Sequence, residues 1–188
     1  MTTARREEIL EAAMQVFAER GFKGTSFDEV ADRAGLTRQG VLHYFPSKKK
    51  LLVALLRYRE DMHRHHLADG HADEDLPSQL AEVLAFDHKT PALAQVNSKL
   101  MVTSVSREDP VWQDVTDYYS ALHEYISEEL GSRYGERLPS GLSTRAGAMA
   151  VLAMLDGLQE QWLLDQDQTD YPEIMREVLS ALLGSAPV

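Results

Sequence analysis

Residues 25–48, TSFDEVADRAGLTRQGVLHYFPSK, leave the chain little conformational freedom. Ser26 followed by Glu29 is a capping box, which starts a helix that continues to about residue 34. Gly35 then stands where the chain needs positive φ to turn. Thr37 caps a further helix over 38–45, Pro46 ends it, and Ser47 caps the helix after that. Two short helices joined by a glycine turn form a helix-turn-helix. Ala31 supplies the small residue at their closest approach. Leu36 and Val41 pin the second helix from below, against Phe27 and Val30. The exposed face is then Thr37, Arg38, Gln39, His43 and Tyr44. All can donate hydrogen bonds, as a helix reading the major groove of DNA must.

Charge supports that reading once it is divided along the chain. The net charge of −11 argues against nucleic acid if spread evenly. Residues 1–60 hold eleven Lys/Arg and eight Asp/Glu, a net +3, and the remainder carries −14. A basic head on an acidic body fits a molecule of which one end meets phosphate. The run Lys48-Lys49-Lys50 opens the helix after Pro46, where cations oppose the helix dipole unless an anion rests there.

With 188 residues and 44% hydrophobic side chains, the chain can bury a core. Zero cysteines exclude disulfides, thiolate metal sites and cysteine nucleophiles. Residues 1–8 lack an apolar signal segment, and the apolar run 146–155 is too short to span a bilayer. The expectation is a cytoplasmic protein without membrane association.

Ile9, Ala13, Val16 and Phe17 share one face of a first helix over 3–20, with Gly21 as its stop. Leu51, Leu55, Tyr58 and Met62 form a stripe on the helix that begins after Ser47. Residues 69–77 read as an acidic loop. Further helices are expected over 77–88, 91–107, 110–130, 143–165 and 172–183, punctuated by Pro77, Pro91, Pro110 and Pro172, with Thr90 and Asp109 as caps. No segment has strand periodicity. The fold class is all-α, with about nine helices: an N-terminal three-helix helix-turn-helix DNA-binding domain over 1–46 and a helical ligand-binding and dimerisation domain over 47–188.

Residues 4–56, including ILEAAMQVFAERGFKGTSFDEVADRAGLTRQGVLHYFPSKKKLL, resemble the N-terminal domain of the TetR family of transcriptional regulators. The stretch from Asp156-Gly157-Leu158-Gln159 to Leu164 resembles the family's ligand-domain helix more loosely. The resemblance implies an all-helical homodimer with a three-helix DNA-binding head, a variable ligand-binding body and a dimer interface formed by the last two helices. The DNA-binding candidates are Ser26, Thr37, Arg38, Gln39, Gly40, His43, Tyr44 and Lys48, with Lys48 at the family's usual phosphate contact. Leu42 stands where many members carry a tyrosine that touches the DNA backbone; His43 or Tyr44 is the substitute contact.

A dimer interface needs apolar faces with small residues for close approach. Ala146, Gly147, Ala150 and Ala153 supply the small residues, and Ile174, Val178 and Leu182 the bulk. By the same resemblance the body encloses a small-molecule effector. Its candidate lining is Met62, Phe86, Met101, Val105, Trp112, Tyr119, His123, Met154, Leu158 and Trp162, although each of these side chains also suits ordinary core packing.

Histidines 63, 65, 66 and 71 cluster near Asp61 and Asp73. His63 and His66 could share a metal, but the sequence fixes no third ligand, so neither a metal nor another cofactor is assigned. His123-Glu124 begins like a zinc-protease motif, yet position 127 is Ser127 rather than histidine. No phosphate-binding glycine loop or serine-nucleophile motif occurs, and the chain is not expected to be an enzyme. The sequence therefore points to a ligand-responsive repressor: a homodimer on a palindromic double-stranded DNA operator, released by a small-molecule effector. The alternative is a small-molecule-binding protein of the same fold that has lost its specific operator.

Overall fold

The structure is a computed structural model that describes residues 3–71, 73–89, 91–167 and 170–183; at 3, 21–23, 92, 93 and 103 it describes the backbone alone. The described residues form nine α-helices: α1 Thr3–Gly24, α2 Phe27–Arg33, α3 Arg38–Tyr44, α4 Lys48–Ala68, α5 Leu76–His88, α6 Pro91–Thr103, α7 Trp112–Tyr134, α8 Thr144–Leu164 and α9 Tyr171–Leu183. Among the described residues, β pairing is limited to an isolated antiparallel bridge between Arg137 and Ser143. The all-α expectation holds.

Two compact units emerge, Met1–Met62 with Thr90–Val115 and His63–Lys89 with Thr116–Val188. In the first, α1 packs against α2 and α6, and α2 packs on α3. Ile9, Ala13, Val16 and Phe17 are all buried, as their spacing predicts. Helix α1 nevertheless runs through Gly21 to Gly24. A glycine inside a helix costs only about 1 kcal/mol, which the helix tolerates where packing favours continuation. In the second unit α9 packs against α5 and α8. Its buried stripe is Tyr171, Met175, Leu179 and Leu183.

The helix ends follow the sequence closely. Ser26 accepts from the Glu29 N–H at 3.2 Å, and the Glu29 carboxylate accepts from the Ser26 N–H at 3.2 Å, completing the capping box. Thr37 Oγ1 accepts from Gly40 N–H at 3.1 Å, and Ser47 Oγ accepts from Lys50 N–H at 3.2 Å. Asp75 caps α5, accepting from Ser78 N–H at 2.9 Å, with Pro77 in the first turn. Helix α6 stops at Thr103, short of the expected 107. The residues after it fold into turns, with Asp109 N–H donating to Ser106 O at 2.9 Å and Val111 N–H to Asp109 Oδ1 at 3.0 Å. The expected cap Thr90 lies outside the described residues.

Helix α4 departs from its predicted single stripe. Leu51, Leu52, Val53, Ala54, Leu55 and Leu56 are all buried, so more than one full turn is enclosed on every side. Gly147, expected at a dimer interface, is instead buried within the chain. A Cβ there would lie 2.3 Å from Leu138 Cδ1 and 3.3 Å from Leu130 Cδ1, so only glycine lets α8 approach these leucines.

Gly35 carries the α2–α3 turn at φ 62°, with no atom within 4 Å of where a Cβ would stand. Leu36 N–H closes the turn by donating to Ala31 O at 2.8 Å. The demand for glycine is therefore backbone strain rather than crowding. Gly35→Ala is expected to cost about 1–2 kcal/mol in urea unfolding, the penalty for a left-handed non-glycine residue, with helix content unchanged.

Candidate functional site

Helix α3 is capped by Thr37 and held by buried Val41. That fixes which side faces out: Thr37, Arg38, Gln39 and His43 are exposed, while Gly40, Leu42 and Tyr44 are half-buried. Arg38 Nε lies 3.8 Å from Asp28 Oδ2, with both side chains largely in solvent. Such a pair is weak, so the guanidinium is at liberty to take other partners. His43 and Tyr44 pack edge to face with ring centres 5.7 Å apart. Ser26 differs from the rest of the candidate set: its hydroxyl accepts from Glu29 N–H and donates to the Glu29 carboxylate at 3.1 Å, both within its own cap.

Beneath this face the head is fixed by ion pairs. Arg33 makes a two-pronged contact with Glu19, at 2.6 and 2.7 Å, which ties α2 to α1. That contact holds the Glu19 carboxyl below its usual range. The lysines at the start of α4 are not three equivalent solvated cations. Lys48 Nζ donates to Thr25 O at 2.8 Å and sits 5.9 Å from the Phe17 ring centre, and its partial burial lowers its pKa. Lys49 pairs with Asp109, and Lys50 pairs with Asp114 at 2.6 Å. The hydrogen bond from Lys49 lowers the Asp109 pKa. At Lys49 and Lys50 helix-dipole repulsion is thus answered by carboxylates of the same chain. Next to them an open cleft of about 200 Å³ is lined by Arg6, Tyr44, Phe45, Pro46, Lys50, Val53, Ala54, Arg57 and Asp114.

The effector candidates fall in both units. Met62, Met101, Val105 and Trp112 belong to the first, and Phe86, Tyr119, His123, Met154, Leu158 and Trp162 to the second. Val105 lies beyond the end of α6 and is 74% exposed. Arg107 stacks over Trp112 at 5.2 Å. In the second unit Tyr119 donates from its hydroxyl to Asp156 at 3.1 Å, and Trp162 is stacked on His88 with centres 4.1 Å apart. Burial lowers the His88 pKa.

A polar network that sequence reasoning missed sits in the core of this second unit. His63 Nε2 lies 2.8 Å from Asp87 Oδ1, and Gln159 Nε2 donates to Asp87 Oδ2 at 3.2 Å. All three residues are buried, and they join α4, α5 and α8. The pairing of His63 with His66 for a shared metal is not what the structure shows, because His63 is turned to Asp87. No local spacing could reveal this, since the partners are 24 and 72 residues apart in the chain.

The dimer candidates share one property. Ala146, Ala150, Ile174 and Leu182 are half-buried, and Ala153 and Val178 are exposed. None belongs to the core of its own chain, whereas their helix neighbours Val151, Leu152, Met175 and Leu179 do. Met149, 52% exposed, continues the same apolar surface on α8.

An all-helical chain with a capped helix-turn-helix at its head has an architecture that DNA-binding regulators use. Residues 9–55 match the family model described as bacterial regulatory proteins, tetR family. The chain is 30% identical over 178 residues to the HTH-type transcriptional regulator TtgR of Pseudomonas putida, covering 88% of this chain and 83% of that one. It is also 33% identical over 127 residues to the HTH-type transcriptional repressor AcnR of Corynebacterium diphtheriae, covering 67% and 63%. Its fold matches the crystal structure of the multidrug binding protein EbrR complexed with imidazole, with TM-score 0.68, 24% identity and coverage of 100% and 94%. The chain belongs to the TetR family of transcriptional regulators. Among the described residues, no helix is long and apolar enough to cross a membrane.

Asp87 accepts from two buried side chains, so its removal takes an acceptor from each. Asp87→Ala is expected to cost about 1–3 kcal/mol, the scale for removing one partner of a buried hydrogen bond. Asp87→Asn, which keeps an acceptor oxygen, should cost less. Urea unfolding at neutral pH checks both.

Proposed function

We propose that this protein is a ligand-responsive repressor that binds a palindromic operator as a homodimer and releases it when a small molecule enters the helical body. The observation that carries the reading is the exposed, capped face of α3. Arg38 and Gln39 suit direct base readout, since Arg forks onto guanine and Gln onto adenine. Thr37, His43, Tyr44 and Lys48 suit phosphate contacts. Gly40 is half-buried beside Thr37 and Leu36, and its backbone, next to Arg38 and Gln39, is the DNA contact assigned to it.

The apolar surface on α8 and α9 supports a two-fold dimer, because a palindromic operator requires matched heads. The effector lies in the body, where apolar and aromatic side chains stand beside the polar groups of Asp87, Gln159, Tyr119 and Asp156. EbrR, whose crystal structure is that of a multidrug binding protein with imidazole, has this fold. Helix α4 begins directly after the DNA-reading helix and ends in the body. Its residues 51–56 are all buried. An effector favouring one position of α4 lowers operator affinity by its differential affinity for the two states, commonly about 1–3 kcal/mol.

Two substitutions separate the roles on DNA. Arg38→Ala should cost about 1–3 kcal/mol on the operator and relax preference at defined base positions. Lys48→Ala should weaken all sequences alike and lower the salt slope of binding by about one. Titrations of operator and scrambled DNA at several salt concentrations distinguish them. If no specific complex forms at near-physiological salt, the chain is the non-operator-binding form of the fold.

Val178→Asp places a charge on the α9 surface outside the chain's own core. Sedimentation should show dimers becoming monomers, with operator affinity falling in parallel. A folded, still dimeric variant would move the interface elsewhere.

A further inference from the structure

Three metal-binding side chains converge where α4 ends and α5 begins, within the second unit. His66 Nε2 lies 3.9 Å from Glu82 Oε2, and His71 Nε2 lies 4.0 Å from the same oxygen. The three ligand atoms all fall within 4.8 Å of one another. Both rings thus face one carboxylate oxygen from beyond hydrogen-bond range, at a spacing a bridging cation would close.

Two further observations make this more than a polar cluster. His66 Nε2 is shut off from solvent and has no hydrogen-bond partner among the described residues. A ring nitrogen stripped of water without a replacement partner is a cost that a metal bond would offset. Phe86 packs against the same ring with centres 5.0 Å apart, which holds its plane. His71 is oriented from its far side: Nδ1 lies 2.8 Å from Glu74 Oε1. That contact places the proton on Nδ1 and leaves the Nε2 lone pair directed at the cluster, the arrangement by which an outer carboxylate orients a metal-binding histidine.

We propose that His66, His71 and Glu82 form a three-ligand site for a divalent late transition-metal ion of the zinc class. Two imidazoles and one carboxylate suit zinc, cobalt or nickel; calcium and magnesium take mainly oxygen ligands. Tetrahedral bonds of about 2.0–2.2 Å set ligand atoms about 3.4 Å apart, so the two His–Glu separations must close by about half an ångström and the His–His separation by at most about 1.4 Å. All three side chains are half-buried, which allows both that adjustment and entry of the ion. Three protein ligands leave a fourth position for water or a small donor molecule. Bound there, the ion joins the end of α4, the following turn and α5. His63 takes no part, because Asp87 holds it. The site is independent of operator binding, and metal uptake is read without DNA.

The test uses the tag-free full chain, stripped with chelator and dialysed against Zn2+ and separately Co2+. One ion per chain is expected, with the strong visible absorption of four-coordinate Co2+. His71→Ala and Glu82→Gln should abolish uptake, and Glu74→Gln should weaken it by about 10–100-fold. Exposed His65→Ala should leave it unchanged. Absence of saturable uptake by the parent chain overturns the site, as does the weak spectrum of six-coordinate Co2+, a measurement that needs no variant. Equal uptake by His71→Ala and Glu82→Gln also overturns it, because the ion then sits elsewhere.

Discussion

Helix α4 has to begin in water and continue through a core. Over residues 51–56 it presents only aliphatic side chains, all of them buried. The same helix starts with three lysines, cations at the end where the helix dipole is positive. Unanswered, that charge would weaken the first turn on which the buried turns depend. Asp109 and Asp114 answer it at Lys49 and Lys50, while Lys48 is folded back onto Thr25 O and over Phe17. Asp109 comes from the turn before α7 and Asp114 from its first turn. The cationic start of α4 is thus a joint between segments far apart in the chain.

What the sequence revealed and what it hid divide along physical lines. Caps, turns and single-face periodicity are local, so Ser26, Gly35, Thr37, Ser47 and the α1 stripe could be read directly. So could the surface of α3, because two short helices at a fixed turn leave one face free. Ion pairs of the lysines could not be read, since Asp109 and Asp114 are 60 and 64 residues away. On α4, Leu51, Leu55, Tyr58 and Met62 fit a helical period, while Leu52, Val53, Ala54 and Leu56 between them are buried too. A run of six apolar residues has no polar face to lose, and that run was the available signal. Gly147 shows the reverse difficulty: a small residue on an apolar helix marks close approach, but not whether the approaching chain is its own.

The histidine cluster shows how tertiary structure overrides spacing. An i, i+3 pair lies on one helix face, so His63 and His66 read as partners. One ring meets Asp87 of α5, whose other oxygen accepts from Gln159 of α8, and the other lies near the end of α4, 3.9 Å from Glu82. Their different depths assign them to different networks. His63 joins three helices through buried hydrogen bonds, where a well-packed apolar group of equal volume would stabilise as well or better. A buried network of that kind fixes which helix faces meet.

That distinction bears on how a regulator of this construction can switch. Apolar contacts between helices tolerate small sliding, whereas a carboxylate shared by His63 and Gln159 has few acceptable positions. The end of α4 carries the polar anchor at His63, and its start carries the paired lysines next to α3. Between them lies the buried run 51–56. Each set of polar contacts closes within its own unit: Asp87 and Gln159 on the His63 side, Asp109 and Asp114 on the lysine side.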